Sequence, residues 1–134
     1  VAGIIEVNRK ILFTRRAKHP AKDRLDLPGG FVDPNESLEN ALCREIQEEL
    51  GFTLHQWQYL GSWANQYPYR NVTYHTCDAV FYCQTPQQPN IKVDPDEISQ
   101  YIWLPLHDIN ISDIAFPSLQ NAMHHPSHPK HLCR

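Results

Sequence analysis

The sequence predicts an α+β sandwich, and three observations point to it. Residues 1–7 (VAGIIEV) and 11–16 (ILFTRR) are short, apolar, β-branched runs on either side of Asn8, Arg9 and Lys10, which reads as a hairpin. A helix then starts after Ser37 and stops at Gly51. Residues 56–66 (QWQYLGSWANQ) and 72–84 (VTYHTCDAVFYCQ) are rich in aromatic and β-branched side chains and read as a second pair of strands.

The 134 residues, 41% hydrophobic and 20% charged, suit one globular domain, residues 1–134, with a core of its own. A net charge of −3 gives no general attraction for nucleic acid, and no apolar run approaches the length of a membrane helix. Neither partner is expected. Cys43, Cys77, Cys83 and Cys133 form no CxxC pair and no metal spacing, so reduced thiols in a cytoplasm are the simplest reading.

In chain order, the second strand ends in Arg15 and Arg16, followed by Lys18, Lys22 and Arg24. Such a loop is ordinarily solvated surface. This one lies just before a glycine turn at Gly29 and Gly30, where a guanidinium fork could meet phosphate oxygens, and Arg15 and Arg16 are the candidates. For the helix, Ser37 is the expected N-cap, Glu39 suits the positive end of the dipole and Gly51 is the expected stop.

Beyond the helix, YPYRN (67–71) reads as a turn, and Phe81 and Trp57 as core. Trp63, Tyr67, Tyr69 and Tyr74 cluster about that turn, where an adenine ring could stack for about 1–3 kcal/mol. Residues 85–97 form a proline-rich polar loop, 101–106 a strand, and 117–125 a final helix with Pro117 in its first turn. From about residue 124 the histidines alternate irregularly with prolines, which makes a loose tail rather than a zinc ligand set.

The helix carries its acids in an unusual place. At about 100° per residue, Glu45 and Glu49 each fall about 20° from Leu38, on the axis of the expected apolar face, and Glu48 lies at its edge. Glu39, Asn40, Cys43, Arg44 and Gln47 are left to the solvated side. The three acids occupy the last two turns, where the dipole disfavours anions by about 0.3–1 kcal/mol each. Spacings of i, i+3 and i+4 add like-charge repulsion. A divalent cation reverses every one of these signs, and all-oxygen ligation is what Mg²⁺ or Mn²⁺ prefers. Arg44 can hold a neighbouring carboxylate in place.

Gly30, five residues, Glu36, seven residues, then Arg44, Glu45, Ile46, any residue, Glu48, Glu49, any residue, Gly51 and Phe52 resembles the Nudix box with no departure. The preceding LDLPGG is also similar to what leads into the box in that MutT-like family. The resemblance implies a Nudix fold, an α/β/α sandwich around a mixed sheet with the catalytic helix following a Gly-Gly loop. It further implies that Glu45, Glu48 and Glu49 bind Mg²⁺ or Mn²⁺, that the carbonyl of Gly29 or Gly30 adds a ligand, and that Arg44 and Glu36 orient the acids. The implied reaction is hydrolysis of a nucleoside diphosphate linked to another group, with Glu48, Glu49 or Glu97 activating the water.

Pro68 stands where it resembles ADP-ribose pyrophosphatases of the family, and Tyr69 falls near a tyrosine of dinucleoside polyphosphate hydrolases. QYPYR is loosely similar to a motif of NADH pyrophosphatases. ADP-ribose or a related ADP-sugar leads, with NADH, dinucleoside polyphosphates and nucleoside triphosphates behind it. The candidate substrate contacts are Arg15, Arg16, Trp63, Tyr67, Pro68 and Tyr69. Two other classes share the fold: a nucleotide-sensing module, for which a broken acid set is expected, and an isomerase of the isopentenyl diphosphate type. Many relatives are dimers, so a homodimer stays open.

Overall fold

The computed structural model describes residues 1–124. Strands β1 (Ala2–Val7) and β2 (Lys10–Arg16) form the expected hairpin. Asn8 and Arg9 close it at φ 50° and 63°, the left-handed pair that a two-residue turn between twisted strands needs. Then come β3 (Leu25–Asp26), α1 (Leu38–Leu50), β4 (Gln58–Tyr69), β5 (Val72–Gln84), β6 (Ile98–Pro105) and α2 (Pro117–His124). No helix among the described residues is long and apolar enough to cross a membrane.

The strands make a mixed sheet ordered β3-β2-β1-β5-β4, with β6 along the other side of β2. β1 runs parallel to β5, from Ala2 opposite Val80 to Glu6 opposite Gln84. β2 stays with β1 only at Val7 opposite Lys10 and Glu6 opposite Ile11, then meets β3 at Thr14 and Arg15. β6 follows it throughout. Consecutive residues feed opposite faces, as the period of two requires. Ile4, Phe13, Val80 and Tyr82 pack with Leu119, Ala122 and Met123 of α2. Ile5, Leu12, Phe81 and Cys83 pack with Leu42, Ile46 and Leu50 of α1. The expected α/β/α sandwich is therefore the observed fold. Burial on both faces explains why β1 is apolar at every position but Glu6 instead of alternating.

Helix α1 has the expected bounds. Ser37 accepts from Asn40 N, and Gly51, at φ 73°, donates to Gln47 O. Its packed face differs from the expected one. Ala41, Leu42, Ile46 and Leu50 are buried and Leu38 is 40% exposed, so Glu45 and Glu49 border the packed face instead of lying on its axis. The large side chains Ile46 and Leu50 set the orientation, because burial energy follows apolar area. The same rotation half-buries Cys43 against the α1 core, where a solvated position was expected.

Three further expectations change. Trp57, expected in the core, is 39% exposed. Residues 67–69, expected in a turn, continue β4, and the turn is Arg70 and Asn71 at φ 50° and 65°. Pro68 is tolerated because β4 is an edge strand. Tyr69 and Val72 close the two-residue loop, so the next pair, Pro68 opposite Thr73, faces its missing N–H outward. β6 begins at Ile98, three residues before the expected start. The expected loose tail, apart from His124 in α2, lies outside the described residues.

Candidate active site

The glycine turn is pressed against β1, where Gly3 N donates to Pro28 O at 2.8 Å and Gly30 N to Val1 O at 3.0 Å. A Cβ on Gly29 would overlap the Val1 backbone, and one on Gly30 would overlap the Glu45 carboxylate. Close approach to backbone therefore demands glycine at Gly29, while a side chain at Gly30 would displace the Glu45 carboxylate.

Arg44 fastens this turn to α1. Its Nε and an outer nitrogen donate to Glu36 at 2.7 and 2.9 Å, and the same outer nitrogen donates to Phe31 O at 2.9 Å. The other outer nitrogen donates to Glu45 at 2.8 Å and Glu48 at 3.2 Å. Arg44 and the backbone N–H of Asp33 hold the Glu36 carboxyl down at about 2. Glu36 and Glu45 in turn raise Arg44. This fork is the contact through which the orienting roles expected of Arg44 and Glu36 would act.

Glu45 and Glu49, one turn apart, hydrogen-bond each other. Burial, then the charges of Glu45 and Asp26, push Glu49 up to about 9. Burial also raises Glu45, ahead of what Arg44 takes back. Two carboxylates that share a proton mark a place where burial leaves negative charge uncompensated. Glu48 is more open, with its side chain 59% exposed.

The end of α1 lacks a basic residue, and loop backbone takes that place. Lys92 N donates to Leu50 O and Asp94 N to Glu49 O, both at 2.9 Å. These bonds bring Asp94 and Glu97 to the same cleft as the helix acids. Glu97 is half-exposed and 3.5 Å from Lys18 Nζ. Asp96 is not among the cleft residues.

The cleft measures about 590 Å³. The same cleft is lined by Phe31, Tyr67 and Phe116, and by Asn65, Thr76 and Asp78. The Tyr67 ring meets Phe31 edge-on at 5.5 Å and Phe116 at 5.5 Å and 32°. Arg16 lies over Phe116 at 4.9 Å, bonds Asp26 at 2.8 Å and Pro20 O at 2.7 Å, and reaches Tyr67 OH at 3.3 Å. Burial raises the Asp26 carboxyl even with Arg16 beside it.

Of the expected site residues, the cleft brings together Gly30, Glu45, Glu48, Glu49, Glu97, Arg16 and Tyr67. Arg15 is not part of its wall and donates to Asp23 O at 3.0 Å. Trp63 packs on the α2 core and over Gly61. Tyr69 is 41% exposed under Arg70, Tyr74 is 50% exposed, and neither they nor Pro68 line the cleft. Asp26, Phe31, Asn65, Asp78 and Phe116 were not anticipated. A strand running through residue 69 would have pointed to Asn65, which shares a face with Tyr67 two positions on.

Among the described residues no three His, Cys, Asp or Glu side chains stand close enough to enclose a metal ion. Arg44 holds Glu45 and Glu48 instead. The donor chemistry nonetheless fits a hard divalent cation: every candidate ligand is oxygen, and the Glu45–Glu49 proton occupies charge that a cation would take over.

The NUDIX domain family model matches residues 1–125. Over 81 residues, 60% of this chain and 47% of the other, the sequence is 41% identical to the ADP-ribose pyrophosphatase of Methanocaldococcus jannaschii. Over 127 residues, 91% of this chain and 93% of the other, it is 33% identical to the CTP pyrophosphohydrolase of Escherichia coli. The crystal structure of a MutT NUDIX hydrolase from Burkholderia pseudomallei superposes with a TM-score of 0.72 at 30% identity, covering 81% of this chain and 83% of that one. The chain spans about half the length of several curated relatives that it matches. With an intact box on the turn and helix that line the cleft, and a family model matching nearly the whole described chain, this protein belongs to the Nudix family.

Proposed function

We propose that this chain is a divalent-metal-dependent pyrophosphohydrolase of a nucleoside diphosphate linked to a second group, with ADP-ribose or a related ADP-sugar favoured. The observation that carries it is the Glu45–Glu49 pair in a cleft that aromatic side chains also line. The acids suit a metal-bound diphosphate, and Phe31, Tyr67 and Phe116 in the same cleft suit a base. Nudix hydrolases generally use a divalent metal. The names of the two relatives, ADP-ribose pyrophosphatase and CTP pyrophosphohydrolase, support the reaction class more than any one substrate.

Glu45, Glu48 and Glu49, with the carbonyl of Gly29 or Gly30, would hold Mg²⁺ or Mn²⁺. When bound, the ion neutralises charge on the diphosphate oxygens and the leaving group. Arg44 and Glu36 hold the acids in register. As the water oxygen bonds to phosphorus and the anhydride bond breaks, the water proton passes to a carboxylate. Glu48 is favoured as the most open of the three helix acids, its pair with Arg44 being exposed, whereas Glu49 is buried and engaged with Glu45. Arg16 has its donors committed to Asp26, Pro20 and Tyr67, so we assign it to fixing the aromatic wall instead of the phosphates. The free thiols of Cys43, Cys77 and Cys83 suit a reducing compartment such as the cytoplasm.

The test is phosphate release with Mg²⁺, through a coupled phosphatase, across ADP-ribose, NADH, diadenosine tetraphosphate and nucleoside triphosphates. Fastest turnover of ADP-ribose is expected. Preference for another member of the panel overturns the substrate assignment, and silence across all of them with Mg²⁺ bound overturns hydrolysis in favour of a nucleotide sensor.

A further inference from the structure

Asn65 is 7% exposed on the cleft side of β4, and its Oδ1 is shut from water with no hydrogen-bond partner among the described residues. Leaving such an acceptor unsatisfied is costly, and nothing in the fold requires it there, since Thr or Val would pack on an edge strand as well. Its neighbours are informative. Asn65 stands opposite Thr76, Trp63 opposite Asp78 and Tyr67 opposite Tyr74, so Asn65, Thr76 and Asp78 line the cleft beside Tyr67. Asp78 accepts from Ser118 through one carboxylate oxygen. This wall is therefore rich in acceptors, and the side-chain cation lining the same cleft, Arg16, is taken up by Asp26. A phosphate would be repelled by the Asp78 carboxylate. A group that presents N–H or O–H would be welcomed.

We propose that Asn65 is the residue that selects the nucleoside end of the ligand, its Oδ1 accepting a hydrogen bond from a base amine or a ribose hydroxyl while the base lies against Tyr67. The inference takes its class of ligand from the pyrophosphohydrolase reading but needs no turnover. The nucleoside then lies along β4 and β5 and its phosphates point toward Glu45 and Glu49. Asn65 touches no reacting atom; it decides which nucleoside is held.

The test is calorimetric binding, with saturating Mg²⁺, of AMP, of its analogue with hydrogen in place of the 6-amino group, and of 2′-deoxy-AMP, none of which has an anhydride bond to hydrolyse. The wild-type chain, Asn65→Leu and Asn65→Ala are compared after circular dichroism has shown each variant folded. Wild type is expected to bind AMP about tenfold more tightly than one of the two analogues, the value of a hydrogen bond to a buried partner. Which analogue weakens tells whether the amine or the hydroxyl is read. In both variants that preference should fall below about threefold. Leu could also crowd the cleft, but crowding weakens all three nucleotides alike, so the ratio is what reports on the acceptor. A preference unchanged in both variants overturns the proposal, as does a wild type that binds all three equally or none. Collapse of the preference alongside absent hydrolysis would leave Asn65 as the selector and remove only the enzymatic reading.

Discussion

Replacing Glu49 by Gln is expected to flatten the pH dependence of stability of the metal-free chain. Burial near Glu45 and Asp26 pushes Glu49 from 4.5 up to about 9, so the folded chain keeps a proton that the unfolded chain gives up. The stability carried by that proton is full below about 4.5 and is lost as pH rises toward 9, by at most about 1.4 kcal/mol per unit. From 4.5 to 7 the loss reaches at most about 3 kcal/mol. Glu36 titrates in the opposite sense. Held at about 2, it contributes above the ordinary carboxylate range and loses that contribution only as the solution becomes acid. Urea denaturation in EDTA at pH 5.5, 7 and 8.5 separates the two. The wild-type midpoint should fall across the series. The amide of the Glu49→Gln variant can still donate to Glu45 without titrating, so the slope of the variant should be less than half, with Glu45 and Asp26 supplying the remainder. Saturating Mg²⁺ should restore the wild type at high pH, because a cation takes the place of the proton, and Mg²⁺ affinity should rise with pH. A wild type whose stability ignores pH in EDTA, or a variant that falls as steeply, refutes the shared-proton account.

Glu48→Gln should reduce Mg²⁺-dependent turnover about a thousandfold or more, as loss of a base and a ligand together implies. Its exposed pair with Arg44 is worth little, so the urea midpoint should shift by less than about 0.5 kcal/mol, and wild-type turnover would sink the mechanism. Arg44→Lys keeps the charge but cannot span Glu36, Phe31 O, Glu45 and Glu48, so Mg²⁺ affinity or activity should fall about 10–100-fold. Unchanged Mg²⁺ titration and kinetics would show that the fork does not organise the acids. Asp26→Asn leaves the Arg16 cation without its counter-charge where both side chains are less than 20% exposed. A loss of about 2 kcal/mol is expected by denaturant titration, and an unaltered midpoint would rule out a structural role for the pair.

The local chemistry of this chain is legible without coordinates. Ser37 and Gly51 bracket α1 because capping depends only on residues within a turn. The β1–β2 hairpin is readable from two apolar runs and a polar turn, and the box from fixed spacing along one loop and helix. Where local rules are weighed against packing, the reading slips. The acids were set on the helix axis because every apolar residue counted equally, whereas Ile46 and Leu50 have a core to fill and Leu38 does not. Trp57 was placed inside by composition, and it lies before β4 begins.

The sequence by itself determined the family, the acid set and the helix that carries it, since each is written in contiguous residues. Only the tertiary structure decided the rest of the cleft. Parallel pairing of β1 with β5 and the register of β4 on β5 bring Asn65, Tyr67 and Asp78 into one cleft with acids that lie on a helix much earlier in the chain. The first turn of α2 and the residue before it add Leu119 and Phe116. A one-residue slip of the β4 strand would turn Asn65 and Tyr67 to the opposite face. The Arg70–Asn71 turn sets that register, but which face meets the cleft depends on Leu60, Trp63 and Tyr67 packing on the core beneath α2, which no single stretch contains.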